Sequence, residues 1–217
     1  MSIVDLTPIL NSPRLPDIVA ELNRHLRAEG EVRHRFYNEM SEEQKVEFIE
    51  GNVVLHSPAI NRHMAAQFML AKLLDTHTEL HRLGLVRYEK CLCVFPRNDY
   101  EPDITFFGKE KAAKIEPKTM LFPIPDLVVE ILSDSTEHRD RGVKFEDYEA
   151  HGVAEYWIVD AQAETIEQYV INNGRFELLL KSGSGEIASR VVAGFRIPIR
   201  AVFDVQENLA TLKSLFA

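Results

Sequence analysis

The segment LVVEIL, residues 127–132, constrains the fold more than any other stretch of the chain. It is apolar except for Glu130, so it reads as a central, buried strand. A carboxylate inside such a strand costs several kcal/mol unless it is paired or holds a metal. Side-chain alternation puts Val128, Glu130 and Leu132 on one face.

A second carboxylate stands in a comparable setting. Asp103, in YEPDITFF, follows Pro102, which can open a strand at little cost. If the two strands are neighbours, Asp103 and Glu130 meet at one end of the sheet. A magnesium-type ion (Mg2+ or Mn2+) takes one or two carboxylates and keeps several waters. The backbone carbonyl of Ile131 could complete the protein ligands. Such an ion acidifies a bound water and polarises a phosphoryl oxygen. The basic segment HRDRGVKFEDY then supplies Lys144, which would orient the nucleophile or stabilise developing negative charge. Glu47, on an earlier hairpin, could add a further carboxylate near the metal. Blander readings stay open at this stage: Asp103 as a loop cap, Lys144 and Glu47 as ordinary exposed charges, Tyr148 as packing.

The chain of 217 residues is long enough for one sizeable core. The expected organisation is an N-terminal arm and helix over 1–40 and one main domain over 41–217. Asp17 opens a helix with Ile18, Val19, Leu22 and Leu26 on one stripe and Gly30 as its stop. Ser41 and Gln44 fit a capping box for a short second helix. EFIEGNVVLHSP reads as a hairpin, and residues 60–82 as a helix burying Met64, Phe68, Ala71 and Leu74. VRYEKCLCVF and DITFF read as strands. A helix capped by Asp140 carries Lys144 and Tyr148 and stops at Gly152. EYWIVDA is a further strand, ETIEQYVI and RFELLLK form a hairpin around Asn172-Asn173-Gly174, a short strand lies at Arg190 to Val192, and a helix closes the chain. Strands alternate with helices in the middle and hairpins sit at both ends, so the fold class is α/β of the α+β type, with a mixed sheet.

The formal net charge of −9 opposes nucleic-acid binding on average, so a DNA partner would need a local basic patch. Arg139, Arg141 and Lys144 form the best one, although Asp134, Glu137 and Asp140 are interleaved with them. No apolar run is long enough to span a bilayer and no signal-peptide pattern opens the chain, so the expected location is cytoplasmic. Cys91 and Cys93 read as small buried hydrophobes. His77 and His81 have helical i, i+4 spacing but lack the metalloprotease glutamate, and they read as an exposed polar face. His63, just after the first hairpin, could approach the site from the start of its helix, but a lone histidine is more often a surface or capping residue, and the same holds for His56.

EFIEGNVVLHSP, NDYEPDITFF, PDLVVEILSDST, DRGVKFEDYEAHGVAEYWIVD and ETIEQY, in this order and spacing, resemble the Uma-two family of restriction-endonuclease-like proteins. That family belongs to the PD-(D/E)XK nuclease superfamily. The resemblance runs from Glu47 to Val170 and implies a restriction-endonuclease-like mixed sheet flanked by helices, with added hairpins. It implies that Asp103 is the PD aspartate and Glu130 the acidic residue of the second motif. Leu132 stands where the superfamily's lysine usually lies, and Lys144 matches the position to which that lysine migrates on the next helix. Glu47 matches the acidic residue ahead of the hairpin glycine. The implied function is a metal-dependent endonuclease acting on DNA, as a possible homodimer. The alternatives are an inactive interaction module or a hydrolase of another phosphate-containing substrate.

Overall fold

The computed structural model describes residues 5–41 and 44–216. In chain order its elements are α1 (Thr7–Leu10), α2 (Leu15–Glu39), β1 (Val46–Ile49), β2 (Asn52–Leu55), α3 (Asn61–His81), β3 (Gly84–Tyr88), β4 (Leu92–Val94), β5 (Asp99–Tyr100), β6 (Ile104–Gly108), α4 (Lys109–Ala112), β7 (Leu121–Phe122) and β8 (Leu127–Ile131). There follow α5 (Glu137–Asp140), α6 (Val143–Ala150), β9 (Glu155–Asp160), β10 (Thr165–Asn172), β11 (Arg175–Ser182), β12 (Glu186–Ala188), β13 (Arg196–Pro198), a 3-10 turn at Ile199–Val202 and α7 (Val205–Ser214).

Six strands form the main sheet in the order β11-β10-β9-β8-β6-β3; β8 and β9 run parallel and their neighbours antiparallel. The mixed sheet flanked by helices is therefore the observed architecture. β8 is buried along its whole length, and alternation divides its side chains. Leu127, Val129 and Ile131 pack with Trp157 and Val159 of β9 against Leu70, Leu73 and Leu74 of α3. Val128 faces the other way, with Tyr156 and Ile158, toward Tyr148 of α6. Glu130 is on this second side.

A five-stranded sheet, β2-β1-β5-β4-β7, covers that side. It branches off after β3. Glu89 and Lys90 take left-handed φ values of 50° and 47°, which breaks VRYEKCLCVF into two strands of different sheets rather than one. Cys91 and Cys93 are buried, unpaired thiols in the layer between the sheets, as small hydrophobes would be.

Other expectations needed correction. Gly30 does not stop α2, which continues to Glu39. A helical glycine costs about 1 kcal/mol, but the helix is clamped on either side of it. Arg97 grips Glu29 at 2.7 Å, Arg33 is bidentate to buried Asp99, and Phe36 stacks on Phe48 at 5.9 Å. Met64 and Phe68 are exposed, whereas Ala71 and Leu74 are buried with Ala66, Leu70 and Leu73. α3 has apolar residues on more than one face, so its periodicity left its rotation open; contact with the sheet sets it. No strand forms at Arg190 to Val192, because that segment wraps the buried carboxylate of Glu155. His77 is buried and donates to the carbonyl of Ala193 at 3.0 Å, so the pair with His81 is not an exposed polar face. The helix expected from Ser41 and Gln44 falls across residues 42–43, outside the described residues. Among the described residues no helix is long and apolar enough to cross a membrane.

Candidate active site

The antiparallel register of β6 and β8 builds the centre of the site. Ile104 is opposite Val129, so one step outward Asp103 comes opposite Glu130. The two carboxylates are linked through the backbone: the Asp103 amide points at Glu130 Oε2, 3.4 Å away, and the Ile131 amide donates to Asp103 Oδ2 at 2.8 Å. Gln67 of α3 donates to the Asp103 carbonyl at 2.8 Å and so fixes the strand entrance.

α6 brings the cation. Gly142 lets the chain turn between α5 and α6, since a Cβ there would lie 2.6 Å from the His138 carbonyl. Lys144 and Tyr148, one turn apart, both donate to Glu130 Oε1, at 3.0 and 2.9 Å. Lys144 also lies 2.9 Å from Glu47 Oε1 and 3.4 Å from Asp140 Oδ1. Asp140 is thus a member of the cluster and not the N-cap of α6, which is Gly142.

The hairpin of the second sheet closes the cluster. In β1, Val46 and Phe48 pack outward while Glu47 turns inward. Glu47 accepts from the Glu101 amide at 2.9 Å and from His56 Nε2 at 2.9 Å. Lys45, just ahead of β1, places its amine 2.8 Å from Asp103 Oδ1. His63, in the first turn of α3, has Nε2 3.4 Å from Asp103 Oδ2, while its Nδ1 is buried without a hydrogen-bond partner among the described residues.

All four residues singled out in the sequence, Asp103, Glu130, Lys144 and Glu47, therefore lie together. Lys45 and Asp140 were not expected there, and His63 and His56, read as surface or capping residues with an approach to the site as the lesser option, belong to it. Alternation could have found Lys45, because Lys45, Glu47 and Ile49 share one face of an extended segment. Arg141 is committed to Glu137 at 2.8 Å and is bidentate to Glu167 at 2.9 Å. The interleaved acids thus absorb part of the expected basic patch.

The electrostatics follow from burial. Burial pushes the Glu130 carboxyl up, to about 8, against the pull of Lys144. Burial raises Glu47 too, but Lys144 and His56 more than offset it and hold it at about 2. Lys45 and His63 hold Asp103 below its ordinary range despite its burial. Lys144 stays charged: burial opposes its charge, and Glu130, Glu47 and Asp140 together outweigh burial.

No three His, Cys, Asp or Glu side chains among the described residues form a ready-made metal cage. A magnesium-type ion does not require one, because it is commonly held by one or two carboxylates and waters. Asp103 and Glu130 supply hard oxygen donors of that kind. The cluster crowds four carboxyls, Glu47, Asp103, Glu130 and Asp140, around Lys45 and Lys144, and among the described residues Asp140 Oδ1 is buried without a hydrogen bond. The donor set therefore fits a divalent cation.

Residues 33–200 match the model of the Uma2 family, whose description reads "Putative restriction endonuclease". Among solved structures, the chain is similar to a "putative nuclease belonging to DUF820" from Anabaena variabilis ATCC 29413. The two are 20% identical with a TM-score of 0.67, over 82% of this chain and 96% of that one. No curated protein matches the chain.

Proposed function

The chain belongs to the Uma2 family, and from that premise we propose that it is a metal-dependent endonuclease hydrolysing phosphodiester bonds in DNA. The observation that carries the reading is the meeting of Asp103 and Glu130 across adjacent strands, with Lys144 3.0 Å from Glu130. Asp103, Glu130 and the Ile131 carbonyl would hold Mg2+ or Mn2+. When bound, the ion would acidify a water and polarise the scissile phosphoryl group.

The chain's own groups do the rest. Lys144, held between Glu47, Glu130 and Asp140, fixes the carboxylates and offers positive charge to the phosphoryl oxygens. Glu47 keeps Lys144 in place and is itself oriented by His56 and the Glu101 amide. Tyr148 holds Glu130 in one rotamer through its hydroxyl. The bulky face of β8 keeps bulk water from the other side of the carboxylates.

Cleavage of both strands needs two such sites, and a homodimer is part of the reading. α2 supports it: Val19, Leu22 and Leu26 are exposed on one stripe, with Leu15 and Ile18 half-buried beside them. An antiparallel two-fold pairing centred near Leu22 would set Asp17 and Glu21 of one copy beside Arg27 and Arg24 of the other.

The test is cleavage of supercoiled and linear DNA with and without Mg2+ or Mn2+, with Glu130→Gln as control, alongside calorimetric metal titration. Metal-dependent cleavage lost in the variant supports the reading. Carboxylate-dependent metal binding without cleavage of DNA or RNA points to another phosphate-containing substrate. Absence of both reduces the chain to an interaction module.

A further inference from the structure

The two lysines of the cluster are held in different ways. Lys144 is 3% exposed in its side chain and meets three carboxylates. It can leave none of them without stranding charge in the interior. Lys45 is 26% exposed in its side chain, and the carboxylate it reaches is Asp103. Its backbone is pinned, since its carbonyl accepts from the His56 amide at 3.1 Å. Its side chain is partly exposed.

The oxygen it occupies matters. Asp103 Oδ2 already accepts from the Ile131 amide at 2.8 Å and lies 3.4 Å from His63 Nε2. Oδ1 is the oxygen left for an ion, and the amine on it is Lys45, at 2.8 Å. An ammonium there and a divalent cation on the same carboxylate repel each other strongly in a buried setting. Lysine is a compact charge on a flexible stem, suited to moving between anions. The Lys45 side chain keeps 26% exposure, whereas that of Lys144 keeps 3%, so Lys45 is the lysine nearer to an incoming phosphate.

We propose that Lys45 is a placeholder cation: its amine neutralises Asp103 while the ion is absent, and exchanges onto a substrate phosphate once the ion binds. This rests on the nuclease reading and assigns that site a phosphate-contacting residue from the added hairpin. Both lysines thus belong to the mechanism, one caged and one exchangeable.

Calorimetric titration of Mn2+ into wild type, Lys45→Met and Lys45→Gln tests the exchange. Both variants keep much of the stem, and circular dichroism checks that they fold. The expected result is Mn2+ affinity raised by about tenfold in both variants. The same variants should show a KM for DNA raised by about tenfold, through loss of one charge-assisted phosphate contact. Equal or weaker Mn2+ binding in the variants, with wild type binding normally, overturns this proposal and leaves the nuclease reading intact. So does an unchanged KM. Absence of Mn2+ binding in wild type and variants alike overturns both.

Discussion

Glu130 and Glu155 occupy neighbouring strands of the same sheet, are 2% and 0% exposed, and have opposite surroundings. Glu155 is answered by neutral donors. Trp157 Nε1 and Gln168 Nε2 reach one oxygen at 2.6 and 2.5 Å. The Ser189 hydroxyl and the amides of Arg190 and Val191 reach the other at 2.7, 2.9 and 3.0 Å. Glu130 instead shares its surroundings with other carboxylates and a buried lysine. Burial of a charge is therefore not in itself a mark of a reactive site. A carboxylate whose oxygens are filled by fixed dipoles is structural; one crowded by other carboxyls, as Glu130 is with its own pushed up to about 8 by burial, is the one a cation would stabilise most.

The largest expected effect lies on the structural side. Glu155→Ala takes an acceptor from five donors, two in fully buried contacts (Trp157 Nε1 and Gln168 Nε2) and three in partly buried ones. Each unsatisfied donor costs about 1–3 kcal/mol before water relieves some of them, so a net loss of about 3–5 kcal/mol is expected in urea unfolding. A loss under about 1 kcal/mol would erase the contrast. Next comes Glu130→Gln, expected to lower DNA cleavage by about a hundredfold or more, the order seen when a group acting on developing charge is removed. Its stability should stay within about 1 kcal/mol of wild type, because Lys144 keeps Glu47 and Asp140. A Glu130→Gln protein that unfolds as readily as Glu155→Ala would place both glutamates in the structural class.

A third carboxylate sharpens the comparison at smaller amplitude. Glu167 is brought to about 2 from its ordinary 4.5 by hydrogen bonds, chiefly from Arg141 and with lesser help from Tyr169 and Lys181, against a raising contribution from burial. Its folded value lies below the unfolded one, so the unfolded chain binds the proton first as pH falls. The stabilisation is present above about pH 4.5 and is lost as pH drops toward 2. Arg141 is partly exposed, which limits the effect to on the order of 1 kcal/mol. Glu167→Gln should flatten that limb of the stability–pH curve in chemical unfolding. An unchanged curve would mean that the ion pair adds nothing in water.

The same contrast shows how far a sequence can be read. LVVEIL announced a buried strand and a costly carboxylate, and the strand is central. The burial cost that singled out Glu130 is borne by Glu155 too, but Glu155 opens its strand, where no apolar run marks it, and its partners come from as far away as Val191. Asp103 was legible from Pro102 and the apolar run after it. Lys144 was legible as part of a basic segment, but its caging by Glu47 and Asp140 depends on the docking of the hairpin and the break at Gly142. His56 and His63 follow a strand and open a helix, where no periodic pattern marks a residue as inward-facing. The rotation of α3 was illegible for the opposite reason: Met64 and Phe68 offer an apolar face as good as the one that is used.

Lys45, Glu47 and His56 reach the cluster from a hairpin that pairs within the five-stranded sheet, while Asp103, Glu130 and Lys144 arise from the main sheet and its helix. The cluster is thus assembled at a seam between the two sheets. On the nuclease reading, a hairpin exchanged for that of a distant relative would bring its own charges to an untouched scaffold, a short cassette through which natural variation and directed evolution alike would retune the reaction without rebuilding the protein.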